Sequence, residues 1–180
     1  MLESEFYERC ESIALRMRHM LSLPAYAPLP SHRVASKLEI DVLCPRDLTS
    51  MTQTDIEQAM DSQGWAAITV LTQPAMIIRH PHRDLVQAES DIMHELAHVL
   101  LEHKPERLGH ISEFRVARTY SKVQEYQADT LADYLQVPRA ALYYLRQRGD
   151  TLDRIMGDFC ISSNCYERRV SLVRQLKAWK

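Results

Sequence analysis

A chain of 180 residues with 46% hydrophobic and 26% charged side chains has the balance of a globular protein with enough apolar surface for one domain-sized core. Its formal net charge of -2 excludes a global basic field that would draw it to nucleic acid or an acidic membrane surface. The charged start MLESEFYERCESIALRMRHML has no signal-peptide core, and no run approaches the roughly 18 apolar residues of a membrane span, so a cytoplasmic location is expected.

The predicted elements follow in chain order. Phe6, Cys10, Ile13, Ala14, Met17, Met20 and Leu21 recur at helical spacing and predict an amphipathic helix over about 3–22. The prolines of LPAYAPLPSH end it. RVASKLEIDVLCP then reads as a short helix running into a strand near Ile40–Cys44, with another short helix over about Thr54–Met60. WAAITVL and AMIIRH, joined by TQP, read as paired antiparallel strands, for a sheet of three. Leu85, Val86, Ile92, Met93, Leu96, Val99 and Leu100 mark a helix over about 84–102. KPERLGHISEF reads as loop, and a second long helix is expected from about Val116 to Gln136, before Pro138. Two or three shorter helices complete the chain. The expected fold class is therefore α+β and mostly helical, a small three-stranded sheet packed on the helix of 84–102, with C-terminal helices.

The four cysteines, Cys10, Cys44, Cys160 and Cys165, match neither a CxxC pair nor a zinc knuckle and are expected as reduced, packed thiols.

The chemistry concentrates in DIMHELAHVLLEH. His94 and His98 are one helical turn apart, so both imidazoles leave the same face at a spacing that one metal ion bridges. Zinc accepts such nitrogen and oxygen donors, and Glu95, beside the first histidine, is placed to take a proton from a water at the metal. HExxH also occurs on ordinary surface helices. Here, however, Ile92, Met93, Leu96, Ala97, Val99 and Leu100 leave no broad polar face, and a buried helix must satisfy its polar groups. A hydrolytic site needs a third protein ligand. Glu125 could supply it, with Asp129 one turn on bonding the outer nitrogen of a ligand histidine. Glu102, His103, His110, Glu113 and Asp133 compete for that place. Glu102 and His103 sit at the end of the same helix and should diverge from a shared metal.

HELAHVLLEH followed by EYQADTLADYLQVP resembles the ImmA/IrrE family of gluzincin-type metallopeptidases. Its second-helix pattern is met by Glu125, Ala128, Asp129, Leu131, Ala132, Leu135 and Pro138. Leu131 replaces a commoner Phe, Gln136 stands where a second Leu is usual, and QAESDIM replaces an RFT-like run. The resemblance implies a minimal gluzincin-like fold, His94, His98 and Glu125 as Zn2+ ligands, Glu95 as the catalytic glutamate and Asp129 as the group orienting a ligand histidine. A zinc metallopeptidase domain is expected over 1–148, and the segment DTLDRIMGDFCISSNCYERRVSLVRQLK reads as helix, turn and helix, a helix-turn-helix-like extension over 149–180 packed on it. The resemblance also implies a place in phage or mobile-element regulation, with an Xre-type helix-turn-helix transcriptional repressor as the protein substrate. The alternative is a zinc-stapled module that inactivates such a repressor by binding without cleavage. For the oxyanion of a peptide-hydrolysis intermediate, Tyr120, Tyr126, His80, His82, Arg79 and His110 are open candidates. Over residues 151–180 six basic side chains face three acidic ones, too small an excess for DNA binding to be expected.

Overall fold

The computed structural model describes residues 3–48, 50–111 and 114–176, without the side chains of 50, 51 and 118. The chain forms two compact units, one of residues 1–30 and 129–180, the other of 31–128.

The unit of residues 31–128 carries the sheet. In chain order it holds α2 (Ser31–Lys37), β1 (Asp41–Leu43), a 3-10 turn (Pro45–Asp47), α3 (Ser50–Gln63), β2 (Ala67–Val70) and β3 (Met76–Arg79). These are followed by α4 (Leu85–Leu100), β4 (Arg107–Ile111), β5 (Phe114–Thr119) and the first turns of α5 (Lys122–Gln136).

 The five strands form one sheet in the order β1-β3-β2-β5-β4, with β1 and β3 parallel and the other neighbours antiparallel. Ile68 lies opposite Ile78 and Thr69 opposite Ile77, so alternate residues of β2 and β3 share a face. Ile56 and Met60 of α3, Ile68 and Val70 of β2, Ile78 of β3, Ile111 of β4 and Val116 of β5 close into one apolar cluster. Burial of such side chains stabilises by about 1.5–3 kcal/mol each. The helix α4 packs on β2 and β3, which sets its HExxH turn against the sheet.

The sheet has five strands, where three were expected. The two additions come from stretches read as loop and as helix. Arg107–Ile111 is exposed at most of its positions and so lacks an alternating apolar signal. Residues 116–119 belong to β5 and not to a helix, because Val116 pairs across to both Val70 and Gly109. The helix α5 begins only at Lys122, behind Ser121, whose hydroxyl accepts from the Gln124 N–H (3.2 Å) while Gln124 Oε1 accepts from the Ser121 N–H (3.1 Å). The second half of the chain is therefore not all helical.

The unit of residues 1–30 and 129–180 is helical among its described residues. It contains α1 (Glu3–Met20), the remainder of α5, α6 (Arg139–Arg148), α7 (Leu152–Phe159) and α8 (Ser163–Gln175). Val137, Ala141, Leu142, Leu145, Ile155, Ile161, Cys165 and Val173 form its apolar cluster. Two buried arginines tie its helices together. Arg18 donates to the carbonyl of Leu135 (2.8 Å) and Arg169 to that of Val137 (2.8 Å), with its guanidinium 3.4 Å over the Tyr134 ring. Residues 149–180 thus share a unit with α1 and α6. No described helix is long and apolar enough to cross a membrane.

Candidate metal centre

The site lies within the unit of residues 31–128. Asp84 caps α4, accepting from the Gln87 N–H at 2.8 Å, and from that start the spacing of the helix carries His94 and His98 to one face. Their Nε2 atoms are 3.0 Å apart. Glu125, in the first turn of α5, brings Oε2 to 3.1 Å from His94 Nε2 and 3.8 Å from His98 Nε2. These three edges bracket the roughly 3.3–3.4 Å expected between donors held about 2.0–2.1 Å from a tetrahedral centre. Two imidazoles and one carboxylate are also a donor set that leaves a fourth position for water. His94, His98 and Glu125 together could hold a metal ion.

Glu95 points beside this cluster. Its carboxylate accepts a hydrogen bond from the Thr69 hydroxyl on β2. Burial raises the affinity of Glu95 for a proton, while the Thr69 bond and the neighbouring His94 oppose that rise. A carboxylate held in this way is suited to receive a proton and return it.

A cleft of about 350 Å³ opens over the cluster, lined by Trp65, Ala67 and Ile68 on one side and by Ala117 and Tyr120 on another. Asp91 also lines it, but Arg83 grips that carboxylate with two bonds of 2.7 and 3.1 Å. Tyr120 stacks on the His98 ring with centroids 3.7 Å apart. Burial, Glu95 and Glu125 all push its phenol upward, so it keeps its proton at neutral pH and can donate. Of the six oxyanion candidates, Tyr120 is the one that lines this cleft; His80 and His82 line a separate depression beside Asp61.

The competitors for the third ligand go elsewhere. Glu102 and His110 are exposed, and Asp133 is held by Arg168 through bonds of 2.7 and 2.6 Å. Glu113 lies outside the described residues. His103 meets His98 through Nδ1 at 2.9 Å instead of joining the cluster. Asp129 is exposed on α5, one turn beyond Glu125. Thr69, Arg83 and the contact of His103 were not foreseen from the sequence. A threonine in AITV looks like any strand threonine, whereas the LEH at the end of the helix did contain a histidine to follow.

No curated protein and no solved structure matches the chain. A family model described as the IrrE N-terminal-like domain, a peptidase family, matches residues 52–171. That span includes both histidines of HExxH, Glu95 and Glu125, and the chain belongs to the IrrE N-terminal-like peptidase family.

Proposed function

We propose that the protein is a zinc-dependent endopeptidase that cuts a regulatory protein, an Xre-type helix-turn-helix repressor in the first instance. The observation that carries the reading is the convergence of His94, His98 and Glu125 beside a separately held Glu95, at the floor of an open cleft. Bound zinc supplies Lewis-acid polarisation of a carbonyl and acidifies a water that would otherwise be inert at neutral pH.

The chain's own groups account for the remaining work. Glu95 takes the proton of the attacking water and passes it to the departing amine, so the peptide C–N bond breaks without a covalent enzyme intermediate. Tyr120 donates toward the oxygen that gains charge. Asp129 is assigned the orienting of a ligand histidine, on the strength of the motif. The first residues of β2, Ala67 and Ile68, border the cleft. The repressor itself comes from the motif resemblance.

The test mixes zinc-loaded protein with an Xre-type repressor encoded beside it and follows the repressor by intact mass. A discrete pair of fragments is expected from the wild type. Glu95→Gln is expected to keep its zinc and lose cleavage by about 10²-fold or more. An intact repressor in a stable, zinc-requiring complex would replace this reading with inactivation by binding.

A further inference from the structure

At its C-terminus α4 turns back on itself. The N–H of His103 donates to the carbonyl of His98 (3.0 Å), and the N–H of Glu102 donates to that of Val99 (3.0 Å). Glu102 takes the left-handed conformation, φ 57, that this paired closure requires. The closure folds His103 over His98, and their imidazoles meet Nδ1 to Nδ1 at 2.9 Å. On its other side the His103 ring meets α5, with Nε2 3.2 Å from Gln127 Oε1.

The order of donors and acceptors in this row is constrained. The Gln127 carbonyl oxygen only accepts, so His103 Nε2 carries a hydrogen. A neutral imidazole then presents a bare Nδ1, and the hydrogen between the two rings sits on His98 Nδ1. His98 is left with its lone pair on Nε2, the atom that faces His94 and Glu125. Tyr120, stacked nearly parallel at 18°, keeps the His98 ring in that plane.

We propose that His103 and Gln127 are positioning residues of the metal centre: Gln127 selects the tautomer of His103, which selects that of His98 and presents its bare Nε2 to the metal. The inference rests on the metal reading of the cluster. It adds a second support, built on the helix end and on α5, that no motif spacing encodes.

Ring-nitrogen spectra of the full-length, metal-stripped protein report which nitrogen of each histidine carries hydrogen. His98 Nδ1–H and His103 Nε2–H are expected. Zinc affinity is then measured by competition with a chromophoric chelator. Gln127→Glu retains the acceptor and should stay within about threefold of wild type, whereas Gln127→Met and His103→Phe should bind about 10–100-fold more weakly. In both of the weaker variants His98 should shift toward Nε2–H. Wild-type His98 protonated at Nε2, or unchanged zinc affinity in Gln127→Met, overturns the proposal. If His103→Phe does not fold, the Gln127 pair and the wild-type spectrum decide. Because the spectrum is read without metal, correct tautomers in a protein that takes no zinc would overturn the metal reading and leave the relay standing.

Discussion

At the scale of single residues, the site depends on groups whose neighbours hold them ready. Glu95 is held by one strand hydroxyl, that of Thr69, which is itself buried. Thr69→Val keeps the shape of that side chain and removes the bond. The expected result is a kcat about 10–100-fold lower with little change in KM, since the substrate's contacts remain while the proton acceptor loses its orientation. Steady-state kinetics on one peptide substrate checks this, and a change confined to KM would assign Thr69 to substrate binding instead. His94, Glu95 and His98 were legible as candidates from the HExxH spacing taken with the apolar residues around it, because one turn of helix puts the two histidines on one face. Glu125 became legible only with the second helix. Thr69, His103 and Gln127 were not, since their roles arise from contacts between elements distant in the sequence.

At the scale of elements, two helix ends shape the site in the same way. The helix α3 closes with Trp65 N–H on the Met60 carbonyl (2.9 Å) and Gly64 N–H on that of Asp61 (3.3 Å), with Gly64 at φ 67. This turn delivers Trp65 and the start of β2 to the cleft. The helix α4 closes identically but places Glu102 where α3 has glycine. A side chain in that conformation costs about 1–2 kcal/mol, and the looser unfolded chain of a glycine gives back about half of it. Glu102→Gly should therefore raise stability by about 0.5–1 kcal/mol with zinc affinity unchanged, read by chemical denaturation and chelator competition. A loss of stability would show that the Glu102 side chain contributes more than its backbone strain costs. The helices were legible where an apolar stripe is long, as in α1 and α4. The strands β4 and β5 were hidden because β4 is mostly exposed and because the apolar residues around Val116 also fit a helical spacing. The S-x-x-Q cap at Ser121–Gln124 was the available signal that α5 starts later.

At the scale of the whole molecule, the candidate metal cluster belongs to the unit of residues 31–128, while the other unit is a helical assembly that buries the thiols of Cys10 and Cys165. Burial pushes the Cys10 thiol from its ordinary 9.0 up to about 12, and Cys165 is raised for the same reason. The native state therefore keeps protons that the unfolded chain releases, so their contribution is complete below pH 9 and is lost as pH climbs toward 12. Stability measured by denaturation should fall over that window, and a flat profile would contradict the burial. At pH 8 a thiol reagent should label partly exposed Cys160 well before buried Cys10, Cys44 and Cys165. The α+β class and the reduced state of the cysteines followed from composition and pattern. The division into units did not, because a helix such as α5 that contributes to both carries no break in its sequence.

The most direct test of the metal-centre account is the zinc content and X-ray absorption spectrum of the purified full-length protein after exhaustive dialysis. About one zinc per chain is expected, with two imidazole nitrogens and at least one carboxylate oxygen in its shell, and a loss of that zinc in Glu125→Ala. A folded protein that retains no zinc, or a Glu125→Ala variant with the wild-type content and spectrum, would contradict it.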